Sequence, residues 1–296
     1  MTRLALLAAV LAVVAGETLA GDPAGSVTPA GAAPVDCVAP PALMVLEAQP
    51  RIAARIDRRE SLTIVAIGSS STQGVGASVP ELSYPSRLEA ALKERFPLVD
   101  IRVINRGMGG EDVPEEFARL ERDVIAEHPQ LVIWQVGTNA VLRRDDLVAD
   151  RVLIERGVAQ LKASGSDVVL MDLQYAPRVI ARPDYAEMQQ LIADVAERTT
   201  GVGLFPRFEI MKHWQTAGRI PAQGDAAAMI GRDGLHMTDR GYFCLAHNLA
   251  EALAANWWAR SFADIAGAHT LDLRKPSDAA AVLRLLERLS IDPPKK

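Results

Sequence analysis

Five short apolar runs separated by longer helical patterns constrain the fold of this chain more than any other feature. The runs are rich in Val, Ile and Leu and nearly continuous in apolar character, which is typical of parallel strands covered on both faces. They occupy residues 63–67, 101–104, 131–135, 168–173 and 203–205. Helical spacing marks residues 84–95, 114–127, 146–164, 184–199 and 238–256. This alternation predicts an α/β fold, a three-layer α/β/α sandwich around a five-stranded parallel sheet.

Size and charge narrow the possible classes of protein. The chain has 296 residues, of which 49% are hydrophobic, enough for one well-packed domain. Its formal net charge is -5, and the sequence has no dense basic stripe. We therefore expect no nucleic-acid partner, because such partners are bound through clustered cations.

The first twenty residues have the layout of a secretory signal. Arg3 precedes an apolar run over residues 4–15, and small residues suited to cleavage end at Ala20. An uncleaved anchor is the alternative, but the run is short for a bilayer. Residues 1–20 thus predict a periplasmic or secreted protein with no stable membrane insertion after signal cleavage.

Three further segments follow the signal. Residues 21–42 are rich in Gly, Ala and Pro and are predicted to be a flexible linker. Residues 43–258 form the predicted globular domain. Residues 259–296 are predicted to be a C-terminal helical extension, with an amphipathic pattern at 279–289.

The two cysteines allow two interpretations. In an oxidising compartment Cys37 and Cys244 can form a disulfide that fixes the N-terminal segment to the domain. The alternative is one buried and one exposed thiol, because the sequence does not show how close the two Cα atoms lie. Two cysteines are too few for a thiolate zinc site.

Four polar blocks follow predicted strands or precede the last helix. They are residues 68–72, 105–110, 137–139 and 233–236. In an open parallel sheet, ligands bind beyond the carboxyl ends of the strands. We therefore expect these blocks to share one site.

The ordered set of blocks resembles the SGNH (GDSL-type) hydrolase superfamily over roughly residues 63–256. The resemblance implies a flavodoxin-like sandwich and a serine-type carboxylic ester hydrolase. It implies a serine nucleophile, two oxyanion positions and an Asp-His pair. The matching residues are Ser70, then Gly107 and Asn139, and finally Asp233 and His236. Two positions depart from the family pattern: Ser69 replaces the aspartate before the nucleophile, and Ala140 follows the block-three asparagine.

The implied roles agree with the chemistry of these residue types. A serine hydroxyl such as that of Ser70 needs a base to take its proton, and His236 can serve. Asp233 would orient the imidazole and stabilise its cation. The backbone N–H groups of Ser70 and Gly107 and the side-chain amide of Asn139 would bind the negative oxygen of the tetrahedral intermediate. This chemistry needs no metal and no organic cofactor.

Each of these residues also has a structural interpretation. Ser70, Asn139 and Asp233 are of types that often cap helices or occupy turns. Four blocks in the expected order favour the catalytic interpretation. The neighbouring Ser69 and Ser71 are interpreted as hydroxyls that stabilise the loop.

The sequence predicts an exported serine esterase acting on short acyl esters, above all acetyl esters, of a small-molecule, carbohydrate or cell-envelope substrate. A lipase or thioesterase is the nearest alternative, with the apolar residues of 206–231 forming an acyl groove. That stretch could otherwise be a flap or a surface excursion. A glycan O-acyltransferase and a non-catalytic glycan-binding protein are the remaining alternatives.

Overall fold

The computed structural model describes residues 37–217, 220–221, 223–224 and 228–266, with side chains as far as Trp257. The described residues all belong to one unit, residues 33–296. The predicted signal peptide, the linker before residue 37 and the extension from residue 267 lie outside the described residues.

A five-stranded parallel sheet forms the centre of the fold. Its spatial order is β2-β1-β3-β4-β5, and neighbouring strands pair in parallel. The strands are β1 (Leu62–Gly68), β2 (Ile101–Gly107), β3 (Leu131–Gln135), β4 (Asp167–Met171) and β5 (Val202–Phe205). The predicted α/β sandwich with five parallel strands is therefore confirmed.

Strand order reverses next to β1, and this reversal positions the site. The chain passes from β1 to β2 on one side and then returns to β3 on the other side. In the register, Gly68 faces Gly107 across the β1–β2 pair, so these strands end together. Loops that leave β1 and β3 thus diverge at a topological switch point, where open α/β sheets bind ligands.

Helices cover both faces of the sheet. The described α-helices are α1 (Pro50–Arg58), α2 (Ser70–Gln73), α3 (Tyr84–Arg95), α4 (Val113–Ala118), α5 (Leu120–Asp123), α6 (Thr138–Arg143), α7 (Leu147–Ala163), α8 (Pro177–Ile180), α9 (Tyr185–Arg198), α10 (Arg207–Thr216) and α11 (Asp239–Ala266). Short 3-10 turns occupy Pro41–Leu43, Pro80–Leu82 and Ile125–Glu127. Among these described helices, none combines the length and hydropathy needed to cross a membrane.

Two sequence predictions need correction. The single helix expected over residues 114–127 is divided into α4, α5 and a 3-10 turn. Arg119 leaves helical geometry at φ -110° and ψ 5°, and its guanidinium donates instead to the carbonyl oxygen of Arg106 at 2.8 Å. Arg119 is buried, and this bond connects the break between α4 and α5 to the end of β2.

Residues 206–231 were expected to form a flap, a surface excursion or an acyl groove. This expectation is wrong for the apolar side chains that the structure describes in this stretch. Phe208, Met211 and Trp214 lie on α10 and are buried, and Met229 is buried as well. Their spacing of three residues places the first three on one helical face against the core. They are therefore core residues and do not line a groove.

The first described residues are attached to α11. Cys37 and Cys244 form a disulfide with their Cα atoms 5.2 Å apart. The Asn248 side chain accepts from the backbone N–H of Ala39 at 3.1 Å and donates to the carbonyl oxygen of Cys37 at 2.7 Å. These contacts hold residues 37–39, which fall within the predicted linker, against the domain.

Candidate active site

Ser70 is the first residue of α2, directly after β1. Because it begins a helix, its backbone N–H has no acceptor within that helix and stays available. The side chain is half-buried. A serine in this position presents both its hydroxyl and its N–H at the carboxyl edge of the sheet.

Ser70, His236 and Asp233 form a continuous chain of contacts. The Nε2 atom of His236 lies 3.0 Å from Ser70 Oγ, and its Nδ1 atom lies 2.5 Å from Asp233 Oδ2. The imidazole is mostly enclosed, whereas the Asp233 side chain is 46% exposed. The structure therefore brings together the three side chains predicted to be catalytic, in the order that proton transfer requires.

Backbone hydrogen bonds fix the Asp233 carboxylate. Its Oδ1 atom accepts from the N–H groups of Leu235 at 3.0 Å and His236 at 3.1 Å. Burial alone would raise the pKa of Asp233, but these bonds and the imidazole outweigh it and hold that pKa below its usual value. Asp233 therefore remains ionised beside His236 at neutral pH.

Asn139 lies in the first turn of α6, after β3. Its Nδ2 atom donates to the carbonyl oxygen of Glu111 at 2.7 Å. A primary amide carries two donor hydrogens, so this bond orients the group and leaves a second hydrogen for a ligand.

Gly107 has a different environment from the one its predicted oxyanion role requires. Its N–H donates to Asn105 Oδ1 at 2.8 Å, so this donor is already in use. A Cβ atom at residue 107 would lie 2.0 Å from the backbone nitrogen of Gln73 in α2. The glycine is explained by the close packing of α2 against the end of β2, and an oxyanion role for Gly107 stays a prediction.

Gly110 offers an alternative donor that the sequence reasoning missed. No acceptor for its N–H lies among the described residues, and a Cβ added there would meet nothing within 4 Å. The preceding Gly109 lies beside Ser70, since a Cβ built on it would be 3.9 Å from Ser70 Cβ. The three glycines among residues 107–110 indicated that this loop could supply an oxyanion donor. Choosing among them required the hydrogen bonds seen in the structure.

Gln135 organises the loop under the nucleophile. Its Oε1 atom lies 2.9 Å from Ser71 Oγ, 3.1 Å from both the nitrogen and Oγ of Ser69, and 3.3 Å from Thr72 Oγ1. All four residues are buried. This geometry supports the interpretation of Ser69 and Ser71 as loop-stabilising hydroxyls. The sequence could have indicated this role, because Gln135 is a polar residue at the carboxyl end of a buried strand.

Two exposed apolar side chains belong to the loops beside Ser70. Val75 is 39% exposed, and its N–H donates to the carbonyl oxygen of Ser70 at 3.0 Å. Met108 is 48% exposed and adjoins Gly109. The loops that follow β1 and β2 therefore both carry an exposed apolar side chain.

Comparison with curated proteins identifies two esterase relatives. An acetylxylan esterase of Geobacillus stearothermophilus is 39% identical over 64 residues, which is 22% of this chain and 29% of the relative. An arylesterase of Vibrio mimicus is 28% identical over 137 residues, which is 43% of this chain and 67% of the relative. The chain thus spans less than a third of the acetylxylan esterase that it matches.

Solved structures share the fold. A two-domain esterase active on acetylated mannans, co-crystallised with mannopentaose, superposes with a TM-score of 0.58 at 24% identity. That match covers 73% of this chain and 55% of the other chain. TesA superposes with a TM-score of 0.55 at 22% identity, covering 66% of this chain and 99% of TesA.

The family model of the non-GDSL lipase-like family matches residues 36–257. The match includes all four polar blocks and both cysteines, and the family description agrees with the serine at residue 69 in place of aspartate. The resemblance to SGNH hydrolases and the prediction of an enzyme are confirmed. The chain belongs to the non-GDSL lipase-like family.

Proposed function

We propose that the protein is an exported serine esterase that removes short acyl groups, above all acetyl, from a carbohydrate or cell-envelope ester. The observation that carries this proposal is the contact chain from Ser70 through His236 to Asp233. A serine, an imidazole and a carboxylate in this arrangement are suited to acyl transfer.

In the proposed reaction, Ser70 Oγ attacks the ester carbonyl while His236 Nε2 takes its proton. The resulting oxyanion receives hydrogen bonds from the Ser70 N–H and from the second amide hydrogen of Asn139. Gly110 supplies the third donor in this proposal, because the Gly107 N–H is occupied by Asn105. Collapse expels the alcohol, which receives the proton from His236 and leaves an acyl group on Ser70.

Water completes the cycle. His236 takes a proton from a water molecule, which attacks the acyl carbonyl, and the second intermediate releases a carboxylic acid and restores Ser70. Throughout, Asp233 holds the imidazole through Nδ1 and stabilises its cationic form. An acceptor sugar in place of water would make the same site an acyltransferase.

The acetyl-glycan assignment has support from two named proteins. One relative is an acetylxylan esterase, and one protein with the same fold is active on acetylated mannans. A second candidate is an arylesterase-type activity on small apolar esters. The exposed Val75 and Met108 on the loops that follow β1 and β2 favour it, as does the arylesterase relative.

Export is part of the proposal. Its support is the signal-like sequence of residues 1–20 together with the disulfide between Cys37 and Cys244, since disulfides persist in oxidising compartments. In this proposal the mature chain has the linker, hydrolase domain and C-terminal extension predicted from the sequence. N-terminal sequencing of protein from the periplasm or medium should begin at Gly21, and an unprocessed Met1 would oppose export.

Hydrolysis of 4-nitrophenyl esters from acetate to long acyl chains tests the activity, with Ser70→Ala and Ser69→Ala as a matched pair. We expect turnover to peak at acetate, to vanish in S70A and to persist in S69A. Acetate release from acetylated xylan and mannan then tests the glycan. A peak at long chains would contradict the short-acyl assignment, and an active S70A would contradict the nucleophile.

A further inference from the structure

The first residue of α10, Arg207, carries a fully buried guanidinium beneath the candidate active site. We infer that Arg207 is a positioning residue that fixes the loop carrying Ser70 relative to the helix start carrying Asn139. This inference rests on the proposed function, because it concerns the geometry of the proposed oxyanion site.

The guanidinium contacts two different loops. Its Nη1 atom donates to Ser71 Oγ at 3.0 Å, and its Nη2 atom approaches Thr138 Oγ1 at 3.5 Å. Ser71 directly follows Ser70, and Thr138 directly precedes Asn139. One planar group therefore connects the immediate neighbours of the nucleophile and of the proposed amide donor.

A third contact anchors Arg207 to the sheet edge. Its Nε atom donates to the carbonyl oxygen of Asp172, just beyond β4, at 2.9 Å. The same aspartate accepts the Phe208 N–H at 2.9 Å through Oδ1, which fixes the start of α10. Asp172 thus fixes the position of the Arg207 side chain, whose other two nitrogens contact the two loops.

The hydroxyl groups in this network have one consistent orientation. Ser71 Oγ donates to Gln135 Oε1 at 2.9 Å, and Thr138 Oγ1 donates to Gln174 Oε1 at 2.9 Å. Each hydroxyl has a single proton, which goes to its glutamine, so its lone pairs face Arg207. Both loops are therefore linked to Arg207 through hydroxyls whose rotation is fixed.

A charged side chain is a costly way to fill the core. Removing an ion from water costs several kcal/mol, and apolar residues of similar volume often replace buried charges without loss of stability. Burial lowers the pKa of Arg207 to about 10, so it remains a cation at neutral pH. Stability alone does not account for Arg207. A role in holding two loops at a fixed separation does, because the planar guanidinium presents several N–H donors in a rigid geometry.

Arg207→Met and Arg207→Lys test the role, because methionine removes the donors and lysine keeps the charge without the fork. Active sites titrated with a fluorophosphonate give kcat per working enzyme. For R207M we expect kcat to fall about 10–100-fold with little change in KM, the range found for residues that orient a site through other groups. Inhibition by phenylboronic acid, which forms a tetrahedral adduct, should weaken in parallel.

If R207M does not fold, variants of Ser71 and Thr138, which accept hydrogen bonds from Arg207, still test the inference. Thr138→Val should lower kcat, and Thr138→Ser should restore it, because serine keeps the hydroxyl. Ser71→Ala should lower kcat alone but add little to R207K, since both changes break one connection. Asp167→Asn is the matched control, because Asp167 is buried at the opposite, amino-terminal end of β4, where it accepts the Arg51 N–H, and its kcat should be unchanged.

Unchanged kcat per titrated site and unchanged boronate affinity in R207K or R207M would overturn the inference. Full activity of T138V together with S71A would overturn it as well. These results differ from failure of the proposed function, in which wild-type protein would show no Ser70-dependent ester hydrolysis.

Discussion

The side chain of Asn139 donates to the carbonyl oxygen of Glu111 over 2.7 Å, which joins the start of α6 to the loop that follows β2. The two loops that border the proposed oxyanion site are thereby fixed to each other. The amide reaches the site already oriented, so binding a developing negative charge requires little reorganisation.

Replacing Asn139 with Ala should lower kcat far more than it raises KM. Loss of one oxyanion donor typically costs about 10²–10³ in kcat. Steady-state kinetics on 4-nitrophenyl acetate measures the effect. Asn256→Ala is the matched control, because Asn256 also donates to a backbone carbonyl, that of Leu46, at the far end of α11. An N139A variant with raised KM and normal kcat would assign Asn139 to ground-state binding.

Asp233→Asn should lower kcat by roughly 10²–10⁴, the range for loss of a group that orients a catalytic base and stabilises its cationic form. The amide keeps an oxygen for the Leu235 and His236 N–H groups but cannot stabilise an imidazolium. Asp239→Asn is the control, since that carboxylate bonds Ser78 at 2.6 Å. Turnover of D233N within a factor of two of the wild type would remove Asp233 from the mechanism.

Gly107→Ala should lower kcat per active site, whereas Gly110→Ala should not, because alanine at residue 110 keeps the backbone N–H and its Cβ meets no atom within 4 Å. A Cβ at residue 107 would lie 2.0 Å from the Gln73 nitrogen and would displace α2 with Ser70. We expect loss of about 1–3 kcal/mol of stability, as for overpacking, together with much of the activity. At residue 110 the space is open, and only the left-handed φ of +86° opposes alanine, at about 1–2 kcal/mol. Calorimetry and kcat per active site compare the two, and higher activity in G107A would contradict the packing role.

Removing the disulfide should lower the free energy of unfolding without changing turnover. Cys37 and Cys244 are 207 residues apart, and a cross-link of this kind typically contributes about 2–5 kcal/mol. Urea titrations of wild type and the Cys37→Ser/Cys244→Ser double variant measure the difference, with and without reductant. A variant as stable as the oxidised wild type would show that the Asn248 bonds alone hold this segment.

The stability of the folded protein should decrease as pH rises from about 5 to 8, because burial raises the pKa of Glu116 to about 8. The folded state then keeps a proton that the unfolded chain releases above its ordinary pKa of 4.5. Each such proton changes the free energy of unfolding by about 1.4 kcal/mol per pH unit. Glu116→Gln should flatten the decrease in Tm, and Glu115→Gln, exposed on the same helix, should not. Equal slopes in the two variants would contradict this assignment.

The sequence predicted the central strands β1, β3 and β4 well because they are buried on both faces. Residues 131–134 are apolar throughout, so pattern and structure coincide over most of the strand. Prediction failed where tertiary contacts replace local preference. Arg119 leaves helical geometry where its guanidinium bonds the end of β2, and Phe208 enters the core from a region with weak helical patterning.

For the site, residue type and block order were enough to bring Ser70, Asp233 and His236 together. They were not enough to choose which of the neighbouring glycines donates to the oxyanion, because that choice depends on which N–H is already bonded. Gln135 and Arg207 were missed because they act through other side chains and resemble ordinary polar residues. Gln135 is the last residue of β3 and Arg207 lies just after β5, so attention to every polar residue at that edge would have found them.

The disulfide also closes the chain into a covalent ring. For any cut made between residues 70 and 233, Ser70 lies on the segment that contains Cys37, whereas Asp233 and His236 lie on the segment that contains Cys244. A single proteolytic nick between these regions would yield two polypeptides, one with the serine and one with the base, still joined by sulfur. Reductant would then release one from the other, so the integrity of the nicked enzyme would depend on the redox state of its surroundings.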